Sequence, residues 1–521
     1  MAGPARTRHQ TGSRRQPRSG QGQPRSGQGQ PDARNPQARN AHDDQGSGGP
    51  ARRRRARVDP ARRAAYDVLR AVADRDAYAN LLLPAVLTER GLTGRDAAFA
   101  TELTYGTLRG RGTYDAILAA CSDRDQLDPP VRDVLRLGAH QLLATRVGSH
   151  AAVATSVDLA KDAIGPRPSG FVNAVLRRVA TRDLDTWLEI VAPSRDLDLA
   201  GHLAVRHSYP AWIIDAYRDA LGDAAPAEIE DALAAGNLRP EVVLAVIPQD
   251  PGDPGDPGAW PAPPDAERTR WSPYGLRLAG GDPAPLVAGG QAAVQDEASQ
   301  LAALALSRVD LASAPGSAPR DGLWLDMCAG PGGKARLLAA LAARRGARLV
   351  ASDVRPQRAG RVRSALQRAR LASAVVAADG LRVPWRPGTF DRVLADVPCS
   401  NLGSLRRRPE ARWRKTPAGV QELASVQRGL LDAAIESVRP GGVVAYVTCS
   451  PHLAETRDVV TDVAARRGDV TILDAPAVLA EVPGLNSPDP RFAQFWPHRH
   501  GTDAIFVALL ARRSGAQDQA R

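Results

Sequence analysis

Cysteine is scarce in this 521-residue chain: there are four, Cys121, Cys328, Cys399 and Cys449, and no two form a C-x-x-C pair. That excludes a disulfide framework and gives no support to a zinc ribbon, so only individual thiol roles stay open. Long apolar runs are also missing. No stretch of about 18 uncharged apolar residues occurs, and the N-terminus lacks the charged, apolar, small-residue order of a secretory signal. The expectation is a soluble, cytoplasmic protein with no membrane partner. Lysine is nearly absent, with Lys161, Lys334 and Lys415 set against 66 arginines.

What is present points to several domains. The length exceeds one core, and 43% hydrophobic residues suffice to bury more than one. The net charge of +12 is uneven, because residues 1–57 hold 13 Arg and 3 Asp and leave the rest close to neutral. That tail repeats PRSGQGQ at 17–23 and 24–30 and ends in RRRRAR. Such a composition cannot bury a core, so a disordered basic tail is expected over 1–57, either an arm that raises RNA affinity or a solvated extension.

From 58 to 195 the pattern is helical. DPARRAAYDVLRAVAD places Asp59 at an N-cap, Pro60 at the first helical position and Ala65, Val68, Leu69 and Val72 at helical spacing. Amphipathic segments at 131–143, 150–164 and 169–180 follow, joined by short turns, which describes an all-α bundle. Residues 196–285 read as a small helical and mixed linking domain, interrupted by the loop-forming DPGDPGDPG.

From 286 to 513 strands and helices alternate. Candidate strands lie at 322–327, 347–354, 373–380, 390–398, 441–448 and 504–511, which predicts an α/β doubly wound sheet; a disordered end is expected over 514–521. Ligands bind beyond the carboxyl ends of such strands. Those ends read Asp326 to Lys334, Asp353, Asp379, Asp396 to Ser400, and Thr448 to Ser450, and they hold three of the four cysteines.

The first of these ends, DMCAGPGGKA, runs through Cys328, Ala329, Gly330, Pro331, Gly332, Gly333 and Lys334. It is a glycine-rich turn opening into a helix, which brings backbone close to a ligand under a positive helix end. Its spacing matches neither the P-loop nor G-x-G-x-x-G. Asp353 follows about 20 residues later, where a carboxylate accepts ribose hydroxyls, and Asp379 stands where one meets an adenine amino group or nearby backbone. For each Asp alone a helix N-cap is the plainer explanation. Together, the acidic strand ends and the turn suit S-adenosylmethionine, whose sulfonium is positive.

VQDEASQLAALAL, LDMCAGPGGKA, ADVPCSNLGSLRRRPEARW, YVTCSPHLAET and FWPHRHGTDAIFVALL, in this order, resemble the motifs of the Sun/Fmu (RsmB-like) family of RNA 5-methylcytosine methyltransferases. HAAVATSVDLAK and GFVNAVLRRVA resemble the NusB-like RNA-binding domain of its ribosomal RNA members. The resemblance covers roughly residues 57–513. It implies a Rossmann-like S-adenosylmethionine-dependent methyltransferase domain preceded by an all-α NusB-like domain. The implied substrate is small-subunit (16S) ribosomal RNA, free or in assembly intermediates. Val397 stands where the family more often has Ala, and Ala329 and Gly330 stand where it commonly has Ala-Ala before Pro-Gly-Gly-Lys.

The resemblance also implies roles. Cys449 is the nucleophile that adds to carbon 6 of cytosine, Cys399 assists product release, and Asp396 hydrogen-bonds to ring nitrogen 3. Lys334 fits a carboxylate or substrate contact, while Cys328 is read mainly as packing within the cofactor turn. LRRRPEARWRK at 405–415, with Trp413 interleaved, is suited to phosphate contact and base stacking. A second arginine run, from Arg355 to Arg370, is equally explained by solubility. Two other classes stay open: a non-catalytic RNA-binding factor, and a DNA cytosine methyltransferase that would use Cys399 as nucleophile. For the two cysteines themselves, a redox disulfide and inert buried thiols are the lesser alternatives. No oligomerisation element is visible, so a monomer is expected.

Overall fold

The computed structural model describes residues 58–247, 266–278, 283–312 and 321–514. The tail over 1–57, the Asp-Pro-Gly insertion and the residues from 515 onward lie outside them.

The first region is all helix. Asp59 caps Pro60–Arg75 by accepting the Arg62 N–H at 2.9 Å, and Ala65, Val68, Leu69 and Val72 are buried along one face. Seven more helices follow, Ala79–Glu89, Gly94–Arg109, Arg111–Cys121, Pro129–Ala144, Ser149–Ala163, Ser169–Val179 and Leu184–Val191. Pro129–Ala144 is central and packs on the two helices before it and the two after it. Leu135, Leu137, Leu159 and Leu176 are fully buried there. Each contributes about 1.5–3 kcal/mol, more than the intrinsic helix propensities supply.

Helices Leu199–His207, Ala211–Leu221 and Ala225–Ala235 lead to a small antiparallel sheet. Its strands are β1 (Val242–Val246), β2 (Ala266–Arg268), β3 (Gly275–Leu278) and β4 (Ala292–Val294), in the order β2-β3-β1-β4. This sheet runs to Val294, past residue 285.

The main sheet is built as the alternating pattern predicts. Its strands are β5 (Leu323–Asp326), β6 (Arg348–Asp353), β7 (Ser373–Ala377), β8 (Phe390–Asp396), β9 (Val438–Thr448), β10 (Val470–Leu473), β11 (Ala493–Gln494) and β12 (Phe506–Arg512). The order is β7-β6-β5-β8-β9-β12-β10, parallel from β7 to β9, with β12 antiparallel to both β9 and β10 and β11 paired to β12. Period-two burial on both faces explains the strands: Trp324 enters the core on one side of the sheet and Leu325 the core on the other. The strand order reverses between β5 and β8, and the crevice above that switch point is where a ligand belongs.

Candidate active site

Four parallel strands end at this crevice with chemistry-bearing residues: β5 with Asp326, β6 with Asp353, β8 with Asp396 and β9 with Thr448. A cavity of about 650 Å³ lies beyond them. Cys328, Gly330, Pro331, Asp353, Asp379, Asp396, Cys399 and Cys449 all line it. Ala329, Gly332, Gly333 and Lys334 do not line it but belong to the same turn.

The glycine turn is shaped by steric necessity. A β-carbon on Gly330 would stand 2.4 Å from Asp353 Oδ2, and Gly332 has φ 109°, a left-handed backbone open to glycine. Gly333–Arg344 then begins, its positive end facing the crevice. Asp353 Oδ2 accepts the Gly330 N–H at 3.1 Å and pairs with Arg358 Nε at 3.2 Å, while Oδ1 accepts the Arg355 N–H at 2.9 Å. Asp379 is exposed and accepts the Leu381 N–H at 3.0 Å, the turn-capping role.

Lys334 reaches from the turn to the end of β8. Its Nζ lies 2.9 Å from Asp396 Oδ2 and 3.4 Å from Ser299 Oγ. Burial disfavours its charge, but Asp396 more than compensates and leaves the ammonium held above its ordinary pKa. Next to this pair, Asp326 is 1% exposed and neither carboxylate oxygen finds a hydrogen-bond partner. Burial first, then the charge of Asp396, push its pKa up to about 8, while the Lys334 charge and the Cys328 N–H oppose the shift without cancelling it. Burial and the same carboxylates hold the Cys328 thiol well above its ordinary pKa.

Asp326 lies behind the turn, outside the cavity lining, as a buried carboxylate short of donors. Together with a turn stripped of β-carbons and two further acidic strand ends, this donor set fits S-adenosylmethionine, which carries an ammonium, a ribose and an adenine.

The two cavity cysteines are brought together by strand register. Val397 N–H bonds to Val447 O at 3.1 Å, so β8 and β9 end flush and their following turns emerge side by side. Cys399 Sγ and Cys449 Sγ lie 3.3 Å apart as free thiols. The contact with Cys449, burial and the nearby Glu455 charge all raise the Cys399 pKa, so Cys399 is held as a thiol. The serines after the two cysteines bond to each other, Ser400 Oγ to Ser450 Oγ at 3.1 Å. Glu455, fully buried, accepts the Ser400 N–H at 2.7 Å, the Ser400 hydroxyl and the Gln427 amide at 3.1 Å.

The basic loop after Cys399 is not the phosphate and stacking surface that its composition suggested. Arg406 and Arg407 both reach Asp296 and Asp503, at 2.5–2.9 Å, in a largely buried four-charge cluster. Arg412 is fully buried and donates to the carbonyls of Arg109, Ser208 and Gly236 and to the Tyr209 hydroxyl, at 3.0–3.3 Å. Trp413 packs over Gly112 beneath Arg111, and Arg414 donates to the carbonyls of Val72, Asp76 and Ala77. The loop is a clasp onto the helical region, because main-chain carbonyls there, rather than solvent, take up the guanidinium groups of Arg412 and Arg414. Arg408 alone of its arginines both lines the cavity and is exposed.

Two polar residues of this site, Glu455 and Asn401, escaped the sequence reading, and Asp326 entered it only as a strand end without a role of its own. Asp326 looked like any strand-end Asp, Glu455 sits in a motif that shows no chemistry of its own, and Asn401 is an ordinary turn residue by type. The signal for Asn401 was its place directly after Pro-Cys-Ser.

Residues 314–511 match the model for 16S rRNA methyltransferase RsmB/F, and residues 59–181 match that of the NusB family. A protein of Mycobacterium tuberculosis (strain CDC 1551), named provisionally as methyltransferase MT1451, is 50% identical over 464 residues, spanning 88% of this chain and 98% of that one. The ribosomal RNA small subunit methyltransferase B of Pseudomonas syringae pv. tomato (strain ATCC BAA-871 / DC3000) is 32% identical over 469 residues, spanning 88% and 98%. The crystal structure of PH0851 shares the fold, with a TM-score of 0.66 at 22% identity over 87% of this chain and 99% of that one.

Proposed function

The chain belongs to the 16S rRNA methyltransferase RsmB/F family of S-adenosylmethionine-dependent enzymes, and on that premise we propose that it methylates carbon 5 of a cytosine in small-subunit ribosomal RNA through a covalent cysteine adduct. The observation that carries the proposal is the pair Cys399 and Cys449, 3.3 Å apart beside Asp396 in one cavity.

When bound, S-adenosylmethionine supplies a methyl group made electrophilic by its sulfonium. The glycine turn, Asp326, Asp353 and Asp379 would hold it. Carbon 5 of cytosine is a poor nucleophile until another group adds to the ring. Cys449 does this: its thiolate forms a bond to carbon 6, and the electron pair displaced from the double bond makes carbon 5 nucleophilic. Asp396, fixed by Lys334, accepts a hydrogen bond from nitrogen 3 as that atom takes up a proton. Carbon 5 takes the methyl group, its proton leaves, and the Cys449 sulfur departs with its electron pair. Cys399, kept as a thiol, assists this release. A cytosine in a paired stem must first leave the stack to reach these thiols.

We assign 58–195 as the RNA-binding helical domain, 196–285 as the linking domain, whose sheet is completed by β4 beyond that boundary, and the rest of 286–513 as the catalytic domain. The enzyme acts as a cytoplasmic monomer, on free RNA or on an assembly intermediate. Among the described residues no helix is long and apolar enough to cross a membrane.

The test uses transcribed small-subunit ribosomal RNA and methyl-labelled cofactor with wild type, Cys449→Ala and Cys399→Ala. Cys399→Ala should accumulate a denaturant-resistant protein–RNA adduct, while Cys449→Ala should form none and transfer no methyl group. Methyl transfer by Cys449→Ala would remove it as the nucleophile. An adduct that depends on Cys399 would favour the DNA-type assignment.

A further inference from the structure

Asn401 stands between the two cavity cysteines. Its backbone lies in the left-handed region, φ 62° and ψ 27°, a conformation that asparagine tolerates better than most residues bearing a β-carbon. Its side chain lines the cavity. There Nδ2 donates to the Cys399 carbonyl at 2.8 Å and Oδ1 accepts from Cys449 Sγ at 3.1 Å.

The orientation of this amide follows from chemistry. The Cys399 carbonyl can only accept, so the amide nitrogen must face it and the amide oxygen must face Cys449. An oxygen so placed accepts a hydrogen bond from S–H and repels S⁻. The surrounding backbone is fixed independently: Gly403 N–H bonds to Cys449 O at 2.9 Å and Ser404 N–H to Asn401 O at 3.1 Å. Asn401 can therefore release Cys449 by turning its side chain alone.

We infer that Asn401 is a positioning residue that keeps Cys449 protonated until a base is seated and lets the thiol ionise only when its amide is displaced. This rests on the assignment of Cys449 as the nucleophile. The proton stays on sulfur while the hydrogen bond to Oδ1 is intact, and it passes to water once that bond is broken. The arrangement limits unproductive alkylation or oxidation of a thiol that has to be reactive only against substrate.

The test needs neither RNA nor cofactor, so its outcome is independent of the substrate assignment. In the full chain, iodoacetamide labelling of Cys449 is followed by peptide mass spectrometry as a function of pH for wild type, Asn401→Gly and Asn401→Asp. Glycine keeps the left-handed backbone and removes the amide; aspartate keeps the shape and puts a carboxylate oxygen against sulfur. Cys399, the Lys334–Asp396 pair, Glu455 behind Cys399, Arg408 in the cavity wall and His452 on the following turn are unchanged in all three, so differences report on position 401.

The plateau at high pH reads access, and the midpoint reads how firmly sulfur holds its proton. Asn401→Gly should lower the midpoint by about half a unit or more, roughly threefold more thiolate near pH 7, and Asn401→Asp should raise it. A midpoint in Asn401→Gly equal to or above wild type overturns the inference. If buried Cys121 also labels in that variant, its packing is lost, and Asn401→Asp decides: a midpoint no higher than wild type then overturns the inference.

Discussion

Ser400 and Ser450, the residues immediately after the two cavity cysteines, hydrogen-bond through their hydroxyls at 3.1 Å over the fully buried carboxylate of Glu455. This shared footing reinforces the spacing that strand register gives the two sulfurs.

Replacing Glu455 should therefore disturb both cysteines at once. Glu455→Ala leaves the Ser400 N–H, its hydroxyl and the Gln427 amide without their acceptor. A loss of about 2–4 kcal/mol in unfolding free energy is expected from urea denaturation, with methyl transfer down at least about tenfold. Full activity in a destabilised variant would show that the footing is structural only.

Lys334 should be needed for turnover more than for cofactor affinity, because its contact is with Asp396, 2.9 Å away, and not with the cavity. Lys334→Met is expected to lower kcat by about ten- to a hundredfold with little change in KM for the cofactor. Lys334→Arg should not rescue it, since a planar fork cannot replace a compact ammonium beside Ser299. Steady-state kinetics separate the two parameters.

Asp326 predicts a pH dependence. Its pKa is pushed up to about 8 in the folded chain, against about 3.9 unfolded. Between those values the folded state holds the extra proton, so this group makes stability fall as pH rises from about 4 to about 8. Asp326→Asn removes that slope. The variant should gain on wild type by a few kcal/mol between pH 5 and pH 8 in urea midpoints, while calorimetry shows weaker binding of S-adenosylmethionine. Parallel stability curves would place the buried charge elsewhere.

Arg412 should behave as a keystone. Arg412→Ala leaves three carbonyls and the Tyr209 hydroxyl without their donor, and a loss of about 3–5 kcal/mol is expected. Arg412→Lys should recover less than half of it, since one ammonium cannot span the same acceptors. Limited proteolysis within 401–415 provides the readout, with faster cleavage in both variants.

The sequence exposed what is local and periodic. Each of the six candidate strands of the main sheet has its counterpart among β5, β6, β7, β8, β9 and β12, and Asp59, the glycine turn and the cysteine-bearing strand ends are where the pattern put them. It did not expose β10 or the two-residue β11, which owe their existence to pairing with β12 rather than to propensity. Nor did it distinguish Arg412 from Arg408, because a guanidinium spent on carbonyls 176–303 residues away is indistinguishable in sequence from one left exposed at the cavity. Asn401 was hidden for the same reason: its partner Cys449 is 48 residues distant and comes close only when β8 and β9 pair.

The clasp at Arg412 also sets a schedule. The carbonyl of Arg109 leaves the ribosome 303 residues before the guanidinium that satisfies it. At about 5–20 residues per second, the nascent helical region waits on the order of tens of seconds with that position open to water or to another donor. Its early helices thus complete their packing only when the catalytic half arrives, so nascent chains arrested before residue 412 should be more sensitive to protease than the same helices in the finished enzyme.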